Sequence, residues 1–266
     1  MTALTNQGAA SFEPLADALR LAILEDYSRI GGQLSGIGGL RTLETNSGLV
    51  AQRGESVLSL LRAADPQLEL RGMRIVDVGC GFGSIAIYLA YLGAVVTAVD
   101  PHGERLQVGA AVASQFDLPV HWLEGSVQEL PLADRSFDLA LLNNSLCYVV
   151  PRPDRLVALV QVRRTLRPGG WLLMRNPNRT SLRDPFSSLP GINRLSPAGA
   201  ALAARGLGRP RSNVRLLSAR GQRAELRRVG FEVVKIAAPS RHTLAPIDRW
   251  AAPYHHALAR RPGGAS

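Results

Sequence analysis

One stretch constrains this chain more than any other: Val76-Asp77-Val78-Gly79-Cys80-Gly81-Phe82-Gly83-Ser84. It joins a short apolar run, Met73–Val78, to an apolar segment, Ile85–Leu92, that reads as a buried helix stopped by Gly93. A strand that passes through three alternate glycines into a helix turns sharply and exposes its backbone without a Cβ in the way. In an open α/β sheet, ligands bind beyond the carboxyl ends of the strands, where such a loop lies. The next apolar run, Val95–Val99, ends on Asp100. An acid at that strand tip can accept hydrogen bonds from both hydroxyls of an adenosine ribose. A tight turn and a helix-capping acid would each have a purely structural explanation. The order strand, loop, helix, strand, acid favours a ligand site.

The rest of the chain supports stacked βαβ units. Helix Gly103–Gln115 follows Asp100, then strands Val120–Leu123 and Asp138–Asn143, helix Pro153–Leu166, a Pro168-Gly169-Gly170 turn and strand Trp171–Met174. Asn176–Ser218 breaks this rhythm with proline, glycine and arginine, and reads as an insertion carrying one short helix, Pro197–Arg205. Helix Ala219–Val229 and strand Phe231–Ala237 follow, with a weaker last strand at Tyr254–Ala259 and a disordered tail at Arg260–Ser266. Before the alternating region, Pro14–Ile30 reads as an amphipathic helix. Ile30–Leu40 reads as a glycine-rich connection, and a second helix, capped by Asn46 or Ser47, runs to Ala64. The expected organisation is a helical cap over residues 1–68 and an α/β domain over 69–266 with its insertion at about 176–218.

Composition bounds the function. Hydrophobic residues make up 46% and charged residues 20%, ordinary for a domain with a buried core. The net charge of +10 is almost entirely arginine, Lys235 being the single lysine. Nine arginines fall in Arg194–Arg228 against one acid, Glu225, which admits a polyanion or an anionic small molecule. That stretch has no aromatic residue for base stacking, so a small or carrier-bound substrate is favoured over nucleic acid. Cys80 and Cys147 form no CxxC pair, and no metal-ligand cluster is visible, so a metal-independent protein of a reducing compartment is expected. The start, Met1–Ala10, lacks the pattern of a secretory leader, and no run is long enough to span a membrane, so a cytoplasmic, non-membrane protein is expected.

The cofactor is narrowed by spacing. Dinucleotide loops read G-x-G-x-x-G and place pyrophosphate on a helix N-terminus. Here the loop reads G-x-G-x-G, with Ser84 where the last dinucleotide glycine would fall and Asp77 two residues before the first glycine. A sulfonium cofactor carries no phosphate and suits an acidic loop. From Met73 to Ala237 the chain resembles the class I S-adenosylmethionine-dependent methyltransferases, particularly those acting on small molecules. The resemblance rests on Val76–Ser84, Val99-Asp100, Leu130-Pro131, Ser136-Phe137-Asp138 and Leu166-Arg167-Pro168-Gly169-Gly170-Trp171.

That resemblance implies a Rossmann-like α/β fold: a seven-stranded, mostly parallel sheet with helices on both faces, an antiparallel seventh strand and an N-terminal helical lid. It implies cofactor contacts from Asp77, Gly79, Cys80, Gly81 and Gly83, ribose binding by Asp100 with Pro101 beside it, adenine flanked by Ser126 and Val127, and a floor that includes Asn143. Two departures stand out. Many relatives carry aspartate where this chain has Ser126, a contact Gln128 could supply, and histidine where it has Cys147 and Tyr148.

Methyl transfer is an in-line displacement that chiefly needs alignment. A base is required only when the acceptor must lose a proton. Tyr148 and Asn176 are the weak catalytic candidates, with Asn178 and Tyr27 as further wall or lid residues. His121 lies at the wrong end of the sheet, His102 at a solvent-facing helix start, and His242, His255 and His256 late in the chain. The leading expectation is methyl transfer to O, N or C of a small, anionic or glycosylated molecule. An RNA methyltransferase, a nicotinamide-dependent oxidoreductase and an inactive binding protein on the same fold are the alternatives.

Overall fold

The computed structural model describes residues 4–29, 49–209, 211–237 and 254–263. The Ile30–Leu40 connection, the Asn46 and Ser47 cap and His242 lie outside the described residues.

Helices α1 (Leu4–Arg29) and α2 (Val50–Ala64) precede β1 (Arg74–Val78), α3 (Ser84–Tyr91), β2 (Val95–Asp100), α4 (Gly103–Gln115), β3 (Val120–Glu124) and β4 (Phe137–Asn143). Then come α5 (Arg152–Thr165), β5 (Leu166–Pro177), α6 (Pro197–Gly206), α7 (Ala219–Arg228), β6 (Glu232–Ala237) and β7 (Tyr254–Arg260). The seven strands form one sheet in the order β3-β2-β1-β4-β5-β7-β6. β3, β2, β1, β4 and β5 are parallel, and β7 runs antiparallel to both β5 and β6. This is the mixed α/β sheet expected above, antiparallel seventh strand included. The strand order reverses between β1 and β4, and a crevice opens at their carboxyl ends.

Both sheet faces are covered, which is why the central strands are apolar in succession rather than alternating. On one face Ile75, Val96, Leu139, Leu141, Leu173 and Leu258 pack against α1, α2, α3 and α4. On the other, Val76, Val78, Ala140, Leu142, Leu172 and Met174 pack against Leu159 and Val162 of α5 and Leu226 of α7. Seven of the eight residues of α3 are buried, as its apolar sequence demands. An ion pair fastens α7 to α5. Glu225 takes two hydrogen bonds from the Arg155 guanidinium, at 2.6 and 3.2 Å, both side chains being almost fully buried.

Four differences from the sequence expectations have physical causes. α1 begins at Leu4 and runs through Pro14 instead of starting there. Proline removes one intrahelical hydrogen bond, while Phe12, on its N-terminal side, is buried and packs edge-on against Tyr88 and Tyr91 at 5.1 and 5.3 Å. α2 starts at Val50, with Leu49 as its cap residue and no side-chain cap bond. The Pro168-Gly169-Gly170 turn is a bulge inside β5: Leu166 pairs with Phe137 and Trp171 with Leu139, so Arg167–Gly170 lie opposite Asp138 alone. The tail is ordered further than expected. Arg260 ends β7, and the Arg261 N–H and C=O bond to the Gly170 carbonyl and the Gly169 N–H at 2.8 and 2.9 Å.

The segment between β5 and α7 carries α6, as expected, and a 3-10 turn at Ile192–Arg194. It is tied internally by the buried Arg211–Asp184 pair at 3.1 Å and to its own exit by the Asn178–Leu217 bridge.

Candidate functional site

A cavity of about 780 Å³ opens at the carboxyl ends of β1, β2 and β4, within the roughly 300–1,000 Å³ usual for small-molecule sites. The glycine loop forms one wall. The N–H groups of Gly79 and Cys80 donate to the Val99 carbonyl at 2.7 and 3.1 Å, and the Gly81 N–H donates to Asp100 Oδ2 at 2.8 Å. Gly81 has φ +60°, and a Cβ there would meet nothing within 4 Å. The backbone therefore faces open space.

Asp100, buried at the tip of β2, is held from the other side by His102. Its Oδ1 accepts the His102 N–H at 3.1 Å and lies 3.0 Å from His102 Nδ1. His102 is thus not merely a solvent-facing helix start: half-exposed, it lines the cavity beside Pro101. The loop after β3 supplies Gly125, Ser126, Val127 and Gln128. The Ser126 hydroxyl donates to Gln128 Oε1 at 2.6 Å, so the two side chains act as one unit.

At the opposite end lie Asp77, Asn143, Asn144, Ser145, Tyr148 and, from α2, Arg53. Asp77 is buried and its Oδ1 has no hydrogen-bond partner; Asn143 Oδ1, Asn144 Oδ1 and Ser145 Oγ share that condition. Burial pushes the Asp77 carboxyl up to about 7, with the Asp100 charge adding to it and Arg53 opposing. Buried polar atoms without partners are costly in a folded protein, so this end of the cavity is prepared for a polar ligand.

Of the residues expected from sequence, Asp77, Gly79, Cys80, Gly81, Asp100, Pro101, Ser126, Val127, Asn143 and Tyr148 line this one cavity. Gly83 does not. It caps α3 at φ +70°, and its missing Cβ leaves room for the Trp122 ring. Asn176 is also absent from the wall. β5 runs on to Pro177, and two-residue alternation puts Asn176 with Met174 on the face opposite Arg175. Asn178 is buried and its Oδ1 accepts from the Thr180 N–H at 2.9 Å, a local turn. Tyr27 lies in α1, its side chain outside the described residues; His121 is exposed on β3. Tyr148 stands half-exposed at the rim, 6.4 Å from Phe186. Its phenol pKa is raised, first by burial, so it stays protonated at neutral pH. Sequence reading missed Arg53, Arg105, Asn144, Ser145 and Ser212 as lining residues.

Residues 76–174, the strands and loops that build this cavity, match the methyltransferase domain family. The chain is 34% identical over 118 residues to a fatty-acid O-methyltransferase of Mycolicibacterium smegmatis, covering 44% of this chain and 41% of that protein. It is 37% identical over 114 residues to a ubiquinone/menaquinone biosynthesis C-methyltransferase of Rubrivivax gelatinosus, covering 42% and 41%. The fold is similar to that of an S-adenosylmethionine-dependent methyltransferase from Mesorhizobium loti, with TM-score 0.59 and 22% identity over 77% of this chain and 98% of that one. Residues 76–174 thus carry the methyltransferase domain pattern, and the sheet around them has the fold of a solved S-adenosylmethionine-dependent methyltransferase.

The aligned region spans about two fifths of the length of those two curated relatives. α1, α2 and the segment between β5 and α7 lie outside the matched residues, and through Arg53 and Ser212 both regions reach the cavity. Among the described residues no three His, Cys, Asp or Glu side chains are grouped to hold a metal, and no helix is long and apolar enough to cross a membrane.

Proposed function

We propose that this methyltransferase transfers a methyl group from S-adenosylmethionine to an O, N or C atom of a small molecule bound beside the Asp77 end of its cavity. The observation that carries the reading is the pairing of an open, Cβ-free loop at Gly81 with the buried Asp100 carboxylate at the next strand tip.

The residues present fit the cofactor. Asp100 offers a carboxylate to the ribose hydroxyls, and Ser126 and Val127 flank the place an adenine would occupy, with the Ser126–Gln128 unit at its polar edge. Gly81 leaves room for the methionine chain, the space beside Gly79 being taken by the Ser145 side chain, and Asp77, whose Oδ1 lacks a partner, faces its ammonium. When bound, the cofactor supplies a methyl group on a cationic sulfur. The protein's own task is to align an acceptor with it and to exclude water. In this reading the N-terminal helices form a cap over the acceptor, joined by the segment around Ser212.

Both curated relatives carry small-molecule methyltransferase names, one for O-transfer and one for C-transfer, so they support the substrate size and leave the acceptor atom to experiment. The test is transfer of labelled methyl from S-adenosylmethionine across a panel of small acids, phenols, amines and quinols. Label should appear in at least one class. A cofactor-binding protein with no turnover on any class would contradict the reading.

A further inference from the structure

The Asp100 carboxylate, which lines the cavity, has already committed most of its hydrogen-bonding capacity. An ionised carboxylate offers about four acceptor positions. The Gly81 N–H takes one on Oδ2 at 2.8 Å. On Oδ1 the His102 N–H donates at 3.1 Å, and His102 Nδ1 lies at 3.0 Å. The ring nitrogen that meets an anionic oxygen is the one that carries hydrogen, because two lone pairs face to face would repel. Oδ1 is thereby filled, while Oδ2 keeps one position. The two cis hydroxyls of a ribose, one to each oxygen, need a place on Oδ1 as well.

The three donors are not equally fixed. The Gly81 amide belongs to a loop whose Gly79 and Cys80 amides are bonded to the Val99 carbonyl. The His102 amide belongs to the cap residue of α4, extended at φ −108° and ψ 93°. Displacing either one moves the loop or the start of the helix. The imidazole is different. Its side chain is 50% exposed, against 7% for that of Asp100, and it lines the cavity beside Pro101. It makes no capping hydrogen bond to α4. Rotation about its Cα–Cβ bond opens a position on Oδ1 and leaves both backbone bonds in place.

We propose that His102 is a latch on the adenosine site. In the free protein its imidazole donates to Asp100 in the place of a ribose hydroxyl, and the ring swings away when the cofactor binds. This rests on the methyl-transfer reading above, in which Asp100 takes the ribose. The latch keeps a buried carboxylate hydrogen-bonded before a ligand arrives, where an unmatched buried charge would be costly. Asp77 has no such stand-in, since its Oδ1 lacks a partner. S-adenosylmethionine and its demethylated product carry the same adenosine, so the latch opposes both alike. It therefore sets how tightly the protein holds cofactor and product, and leaves the methyl-transfer step itself untouched.

The test is calorimetry of the full chain with S-adenosylhomocysteine, comparing wild type with His102→Ala and His102→Phe, together with a crystal structure of the wild-type complex. His102→Ala should bind about fivefold tighter than wild type, the size of one net hydrogen bond. His102→Phe keeps a ring without a donor and should also bind tighter than wild type. Melting curves establish that each variant is folded, and neither substitution removes a capping bond. In the complex, His102 Nδ1 should lie beyond about 3.5 Å from Asp100 Oδ1, outside hydrogen-bonding reach. Weaker binding by His102→Ala would overturn the proposal, because the ring would then be a support for the ligand. Unchanged binding would overturn it too. Tightening by alanine alone would make the ring a mere obstruction and would equally overturn a latch on Asp100. So would a complex in which the Nδ1–Oδ1 contact survives. Each of these leaves cofactor binding standing, whereas failure of the wild type to bind S-adenosylhomocysteine would remove both readings.

Discussion

Asp100 and Gly81 are joined before any ligand arrives: the Gly81 N–H donates to Asp100 Oδ2 at 2.8 Å, so the carboxylate that faces the cavity also fixes the loop forming its wall. An ionised carboxylate has about four acceptor positions, and Gly81 takes one while His102 engages the other oxygen. Asp100→Asn keeps the size but places either an N–H or an uncharged oxygen where the Gly81 amide points. We expect S-adenosylhomocysteine affinity to fall by about 2 kcal/mol, roughly thirtyfold, since hydrogen bonds to charged groups contribute about 1.5–3 kcal/mol each. Calorimetry on the two proteins checks this.

Gly81 and Gly83 should respond in opposite ways. Gly81→Val points its side chain into the open cavity, so cofactor affinity should collapse, while stability falls by about 1–2 kcal/mol for a side chain in left-handed backbone. Gly83→Ala drives a Cβ into the Trp122 ring as well as straining φ, and overpacking adds about 1–3 kcal/mol. Thermal melting and ligand binding, measured on both variants, separate a lining glycine from a packing one.

Much of the crevice was legible in the sequence, because its rules are local. The glycine loop, the acid at the tip of β2 and the helix Gly103–Gln115 follow from apolar runs and turn residues whose spacing admits few folds. The face of a side chain near a strand end was not legible. Asn176 reads as a cavity residue only if β5 stops at Met174; one further pair of residues turns it to the other side. Arg53 was invisible for a different reason. In a chain with thirty-one basic residues no single arginine stands out, and only the packing of α2 on the sheet brings this one to the cavity. The Asn144-Ser145 pair was missed because a positive φ on Asn144 (59°) directs the chain back over Gly79, a turn with no glycine to announce it.

Glu225→Gln tests the brace between α5 and α7. It leaves the Arg155 guanidinium buried without its counter-charge, although the Val150 carbonyl still accepts from Nη1 at 2.6 Å. Breaking a buried pair by removing one partner costs about 3–5 kcal/mol. Chemical denaturation should show a loss near the lower end of that range, with cofactor affinity unchanged in the folded protein.

Asp77 should leave a signature in the pH dependence of stability. Its folded pKa, about 7, lies above the 3.8 of an unperturbed aspartate. Between those values the folded protein keeps a proton that the unfolded chain has released. Stability from this group is therefore fully present below about 4 and is lost as pH rises through about 7. His256, held at about 4 by burial, acts in the opposite sense, losing stability as pH falls below its ordinary 6.5. The comparison to make is Asp77→Asn against wild type: the difference in melting temperature should grow in favour of the variant from pH 5 to pH 8. A constant difference would contradict the account.

The account's central claim is that the Gly81 loop and Asp100 together hold an adenosine joined to a methionine. Calorimetry of the wild type and Asp100→Ala with S-adenosylhomocysteine and with NADP tests it most directly. We expect one S-adenosylhomocysteine per chain, no measurable NADP binding, and an affinity loss in Asp100→Ala of about 3 kcal/mol, roughly a hundredfold. A folded wild type that ignores S-adenosylhomocysteine, or that takes NADP more tightly, would contradict it.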